Sequence, residues 1–333
     1  MIWSIQYLRF FACLMVVTLH MTQKSALNDG GGYFSFGASG VDLFFVISGF
    51  IMSYISEKKK TGAGDFLLNR FIRIYPIYLA TLTPFLIVFL LFPQIVNTHG
   101  EVPSILKSIT LLPFLDGGRL NMVSWTLSYE LYFYIIYSFS LLFIKNATLI
   151  STTIILSMIL IGKALNFEFI GALISIEFIF GMLIFKLIYR RITFGKKTSI
   201  LLILIGFSWI SSSSNVEIDS GGISRILHYG IPSAIIFIGF LSKELFTKKI
   251  KILSLLGDAS YSTYLSHILT INAVYLVFKK LGLQNTMYIP MILIGISLSM
   301  VVGVIIYKLI EIPLTTKAKS FAFVVKERSS ANT

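Results

Sequence analysis

Arg9 and His20 stand eleven residues apart in an apolar segment. At 3.6 residues per turn that spacing is close to three whole turns, so both side chains fall on one stripe about 16 Å apart along the axis. A guanidinium at one end and an imidazole at the other suit a substrate whose charged and reactive ends lie far apart, with the imidazole as general base. The plainer reading is an arginine snorkelling to lipid headgroups and a histidine resting at the interface. Further on, Gly40-Val41-Asp42-Leu43-Phe44-Phe45-Val46-Ile47-Ser48-Gly49-Phe50 sets a carboxylate, a serine and two glycines in a second apolar segment. Asp42 opens it at the level of His20, where a carboxylate can fix the imidazole tautomer and raise its basicity. A helix N-terminus favours an acid at the same place.

Arg70-Phe71-Ile72-Arg73 comes just before Ile74-Tyr75-Pro76. Residues three apart share a helix face, and two guanidiniums there can grip one phosphate-bearing group; ordinary basic charge flanking a membrane span is the alternative. Trp125-Thr126-Leu127-Ser128-Tyr129-Glu130 opens another apolar stretch. Among Tyr129, Tyr132, Phe133 and Tyr134 a free Glu130 carboxylate is expensive, so it is expected to be paired, protonated or in a wet cavity. In Ser260-Tyr261-Ser262-Thr263-Tyr264-Leu265-Ser266-His267 the histidine follows Tyr264 on nearly the same face, and a neighbouring hydroxyl is its ordinary partner. Glu311-Ile312-Pro313 reads as the end of the last apolar segment, with Glu311 pairing an arginine or taking part in chemistry. His99 and His228 read as loop or span-edge residues. No His and carboxylate spacing suits zinc, and neither a phosphate-binding Gly-x-x-x-x-Gly-Lys nor a Gly-x-Ser-x-Gly elbow occurs.

The elements that must hold these residues follow from composition. Apolar residues make up 56% of the chain and charged ones 13%, with a mean hydropathy of +0.84, outside soluble averages. The chain reads as an all-α integral membrane protein, a bundle of about ten transmembrane helices near 3–21, 41–57, 75–93, 124–144, 148–162, 168–188, 198–212, 226–242, 260–278 and 288–311. If the N-terminus is cytoplasmic, Lys24, Lys107, Arg119, Lys163, Arg225, Lys279 and Lys280 fall outside. Every other lysine and arginine except the intramembrane Arg9 falls inside, as the positive-inside rule requires with both termini cytoplasmic. The net charge of +13 then reports orientation rather than a nucleic-acid partner. The first segment lacks a clean cleavage site and reads as a retained helix. The lone Cys13 reads as a small packing residue. Residues 1–313 are expected to form the membrane domain and 314–333 a short basic cytoplasmic tail.

In this order the motifs resemble one family, the integral-membrane acyltransferases of acyltransferase family three. That family shows an Arg, ten residues and a His in its first span, as Arg9 and His20 do here. Its Gly-x-Asp-Leu-Phe-Phe-Val-x-Ser-Gly-Phe stretch corresponds to Gly40–Phe50, and its Arg-x-x-Arg before a Pro, in a cytoplasmic loop, to Arg70, Arg73 and Pro76. Its Trp-Ser-Leu-Ser-x-Glu appears as Trp125–Glu130, with Thr126 for the usual Ser, and its late Ser-Tyr-x-x-Tyr-Leu-x-His as Ser260–His267.

The resemblance implies transfer of an acyl group, usually acetyl, from a cytoplasmic donor to a carbohydrate hydroxyl. Acetyl-CoA is the implied donor substrate, held by Arg9, Arg70 and Arg73, with no permanently bound cofactor and no metal. His20, oriented by Asp42, is the implied base; Glu130 and His267 serve the acceptor or the developing oxyanion; Trp125, Ser128 and Tyr264 bind substrate. The implied partners are a free or lipid-linked carbohydrate, O-antigen before exopolysaccharide, peptidoglycan or a small molecule, and the lipid of a bacterial inner membrane. Some members add an extracytoplasmic hydrolase-like domain; without it the acceptor is expected to meet the membrane domain directly or through a separate protein. A transporter or flippase is the competing class, because intramembrane Arg, Glu and His also serve transport pathways. The sequence shows no internal repeat and no matched pair of broken spans of the kind many such folds carry.

Overall fold

The computed structural model describes residues 3–29, 33–59, 61–93, 101–143, 146–213 and 221–331; Lys60 and His99 lie outside the described residues. A bilayer leaves backbone N–H and C=O groups no partner except one another, which favours helices, and the described chain is helical almost throughout. Its helices are α1 (Trp3–Asp29), α2 (Ser39–Lys59), α3 (Ala63–Leu91), α4 (Ile105–Thr110), α5 (Trp125–Ser140), α6 (Ala147–Ala164), α7 (Glu168–Gly171) and α8 (Ile176–Leu183). They continue as α9 (Lys196–Ser212), α10 (Ile223–Arg225), α11 (Ile231–Phe240), α12 (Lys251–Asp258), α13 (Ser260–Lys280), α14 (Tyr288–Ile306) and α15 (Ile312–Ala331). π-helical turns extend α8 over Ile184–Tyr189, join α10 to α11 over Ile226–Gly230 and join α14 to α15 over Tyr307–Glu311.

Among the described residues six helical stretches are long and apolar enough to cross a membrane: Trp3–Ala26, Ser35–Lys58, Ala63–Leu91, Ala147–Ala164, Ile223–Phe240 and Tyr288–Ala322. At the other expected spans stand α5, α8 with its π turn, α9 and α13, which are shorter or less apolar. Leu160, Leu204, Leu293 and Leu309 point outward and are exposed, a surface suited to acyl chains rather than water.

Helix α1 lies at the centre, packed against α2, α12, α13 and α14, which is why Arg9 is buried. Small residues let the backbones approach, the usual device of membrane helix pairs. A Cβ on Gly40 would strike the Ala12 carbonyl oxygen, and one on Gly37 that of Met15, so α1 and α2 run antiparallel. Gly49 meets the Phe178 carbonyl and Gly181 the Val46 carbonyl. The glycine of the Ser48-Gly49-Phe50 motif is therefore a contact between α2 and α8.

Two expected boundaries are corrected. Helix α3 starts at Ala63 and runs through Pro76 and Pro84, so Arg70 and Arg73 stand on a helix and not in a loop. The residue before a proline is biased away from helix, but each proline removes only one N–H bond, and the apolar flanks offer the backbone no better partner. Likewise, the last apolar helix does not end at Pro313. The chain passes through the π turn at Tyr307–Glu311 and continues as α15, with Pro313 in the first turn after the change of register, where a missing N–H costs least.

Candidate active site

A cavity lies between α1, α2, α3, α5 and α13, with about 730 Å³ of unfilled space when the open solvent at its mouth is counted. Arg9 reaches it from α1, Arg70 and Arg73 from successive turns of α3, Glu130 from α5 and Tyr264 from α13. The Arg9 guanidinium donates to Gln6 Oε1 at 3.2 Å. Arg70 is buried, its guanidinium 5.4 Å from the Phe66 ring centre and 5.7 Å from that of Tyr134, and its Nε has no hydrogen-bond partner among the described residues. Glu130 accepts from Ser48 Oγ at 2.8 Å, so the serine of the α2 motif meets the acid of the α5 motif. Arg9 also lies within electrostatic reach of Arg73, Glu311 and Asp258. Asp258, half-buried at the end of α12, has its carboxyl pushed above the usual range by burial, against the pull of Arg9, Lys249 and Arg73. Among the described residues three guanidiniums and one carboxylate line the cavity, so the lining itself carries more positive than negative charge, felt most strongly where water is excluded. That wall suits a polyanion.

His20 and His267 meet each other just beyond this cavity. Their ring centroids are 5.2 Å apart with planes inclined by 34°. His267 Nδ1 is 2.7 Å from the Tyr264 carbonyl oxygen; a carbonyl only accepts, so Nδ1 carries the proton and Nε2 presents a lone pair. The partner is thus a backbone carbonyl and not the expected hydroxyl, and Nε2 is buried without a partner among the described residues. The Tyr264 ring is 5.8 Å from His267 and 5.9 Å from Phe44, and Tyr264 and Phe44 both line the cavity. One ring separates the imidazole pair from that space. The Tyr264 hydroxyl is held by Thr126 Oγ1 at 3.0 Å and the Val123 carbonyl at 3.1 Å.

Asp42 does not orient His20. Its carboxylate accepts from Arg225 Nε at 3.0 Å and Nη2 at 2.8 Å, and Glu177 of α8 completes a buried cluster beside them. A bidentate guanidinium meets the fork of a carboxylate better than one imidazole N–H can, and here it ties α2 to α10. Sequence reasoning missed both partners. Glu177 is an acid inside an apolar stretch, the same signal that singled out Glu130, whereas Arg225 looked like one of the few basic residues on the poorer side.

The two remaining residues also lie off the cavity wall. Ser128 Oγ accepts from Arg119 Nη2 at 2.8 Å and donates to the Leu111 carbonyl at 2.5 Å. The Trp125 ring packs edge-on against Phe45 and Tyr129, under the Arg225 guanidinium. Thr126, Glu130 and Tyr134, four residues apart, form the cavity face of α5, while Trp125 and Tyr129 form another.

The sequence pattern of the acyltransferase domain family matches residues 2–308. The chain is 29% identical over 323 residues to the exopolysaccharide production protein ExoZ of Rhizobium meliloti (strain 1021), covering 89% of this chain and 95% of ExoZ. It is 33% identical over 145 residues to the acyltransferase MdmB of Streptomyces mycarofaciens, covering 40% of this chain and 37% of MdmB. With the O-acetyltransferase OatA of Staphylococcus aureus (strain MRSA252) it shares 26% identity over 97% of this chain, but it spans only 58% of OatA. No solved structure matches it. A match over nearly the whole length, joined to helices fit for a bilayer, makes this chain a membrane acyltransferase of acyltransferase family three.

Proposed function

We propose that the chain transfers an acetyl group from cytoplasmic acetyl-CoA to a hydroxyl of a bacterial surface polysaccharide. The reading takes ten spans in a bacterial inner membrane, both termini cytoplasmic, with the cavity mouth near Arg9 and Arg73 facing the cytoplasm. The observation that carries it is the cavity wall with three guanidiniums and one carboxylate, an arrangement for phosphates at one end of a long donor. Arg9, Arg70 and Arg73 hold those phosphates, and the pantetheine arm runs along α1 so that the thioester approaches His20 about 16 Å further on. His20 removes the proton from the sugar hydroxyl as its oxygen attacks the thioester carbonyl. The C–S bond then breaks, and the coenzyme A thiolate leaves and takes up a proton. Its neighbour His267 and the cavity residue Glu130 serve the acceptor or the oxyanion, and Asp42 acts at a distance by fixing α2. Similarity along 95% of ExoZ supports exopolysaccharide as an acceptor beside O-antigen.

The test is mass spectrometry with proton NMR on surface polysaccharide from a matched host, with the chain absent, present, or carrying His20→Ala. An acetyl-sized mass gain that needs both the chain and His20 is the expected result. O-acetylation that persists in folded His20→Ala removes His20 from the mechanism. No gain on any surface polysaccharide from a folded protein refutes the choice of acceptor.

A further inference from the structure

A second, wider space opens where α5 begins and α6 gives way to α7, enclosing with its open side about 1,880 Å³. We infer that this groove binds the acceptor as an acidic saccharide, a sugar ring lying on its aromatic wall and a carboxylate or phosphate among its cations. This rests on the acetyl-transfer reading and names the substrate class for it.

The aromatic wall is Trp125, Tyr129, Phe167 and Phe169. Tyr129 stacks on Phe169 at 4.3 Å between centroids, and Trp125 meets Tyr129 edge-on at 5.9 Å. Phe167 is exposed and Trp125 and Phe169 are half-buried, so these three offer ring surface to the C–H bonds of a sugar, with Tyr129 buried behind them. Lys107, Arg119 and Lys163 also line the groove, against one acid among the described residues, Glu168, so its charge favours an anion. Arg119 is held, not loose: Nη2 donates to Ser128, and Nη1 is buried with no partner among the described residues. Its loop is fixed by Gly117 at φ +90°, where a side chain would strike the Val102 carbonyl, and by a bridge between Pro103 and Gly118. The facing wall is fixed by Asn166 in the left-handed region and by the Phe167 N–H donating to the Gly162 carbonyl at 2.7 Å. The groove and the cavity also back onto the same rings. Phe45 lines the cavity and lies 6.3 Å from Trp125 and 6.1 Å from Tyr129.

The experiment uses the full chain in nanodiscs of zwitterionic lipid. Binding is read by isothermal titration for a glucuronic acid-containing tetrasaccharide, its carboxyl-reduced neutral form, and glucose 1-phosphate. The expected result is that the acidic tetrasaccharide binds about tenfold tighter than the neutral form, the effect of one charge-assisted contact. Lys107→Gln/Lys163→Gln should erase that difference, while Lys280→Gln, outside the groove, keeps it. Raising salt should weaken only the acidic probes, a readout that needs no variant. If glucose 1-phosphate shows the lysine dependence and the uronic acid does not, the anion is a phosphate and the proposal stands in that form. Equal affinity for acidic and neutral forms, or discrimination untouched by the lysine pair, overturns it. Acetyl transfer to the neutral form at an undiminished rate likewise overturns the groove and leaves the transfer reading intact. Charge-dependent binding with no acetyl transfer supports the groove and refutes the transfer reading.

Discussion

Replacing Arg225 with Met tests whether Asp42 is a clamp for α2 rather than a partner of His20. The guanidinium makes two charge-assisted bonds, at 3.0 and 2.8 Å, to a carboxylate with no solvent exposure. Removing one partner of a buried ion pair strands the other and costs about 3–5 kcal/mol. Replacing both by apolar residues leaves no stranded charge and is often neutral. A cycle of Arg225→Met, Asp42→Leu and the double variant, with Glu177→Gln in every arm so that the third charge drops out, should therefore show strong coupling. At least about 2 kcal/mol is expected, well above the few tenths seen for independent sites. The assay is reversible unfolding in mixed micelles with rising SDS, followed by tryptophan fluorescence. Single variants that keep the parent stability, or effects that add within about 0.5 kcal/mol, would refute the clamp.

Other outcomes follow from the same contacts. Gly181→Ala drives a methyl group into the Val46 carbonyl and should cost about 1–3 kcal/mol, the usual toll of overpacking; parent stability in the same assay would show that α2 and α8 can separate. Arg73→Gln removes one cavity guanidinium and should raise KM for acetyl-CoA about tenfold or more, with kcat less affected, as expected when binding common to ground and transition states is lost. An unchanged KM would take the donor phosphates out of this cavity.

The fold was legible where hydropathy decides it. Apolar runs long enough to span a bilayer mark α2 and α6 within a few residues of their observed positions, and the starts of α1 and α14, although α1 runs eight residues past its expected end. Boundaries set by local chemistry were not: the third span was expected to begin at 75 and the last to close at Glu311-Ile312-Pro313, yet Pro76 and Pro313 both lie inside helices. Propensity rules weigh a proline against water as the alternative partner, and within a bilayer that alternative is missing. Among the site residues, Arg9, Arg70 and Arg73 were legible as a set, because cations in or beside apolar segments must share an anion or a cavity. The partners of Asp42 were not, since nothing local links position 42 to positions 177 and 225.

Helix α5 shows why adjacency misleads in a motif. Trp125 to Glu130 read as one cluster because they are contiguous, but on a helix residues one apart point about 100° away from each other. Thr126 and Glu130 face the cavity, Ser128 ties down the Arg119 loop, and Trp125 and Tyr129 face the groove. One short motif thus serves both sides of a wall. If acetyl passes from a donor in the cavity to a sugar in the groove, the rings of Phe45, Trp125 and Tyr129 stand between the two reactants. The reaction then requires either that those rings part or that the sugar reaches the imidazole pair around them.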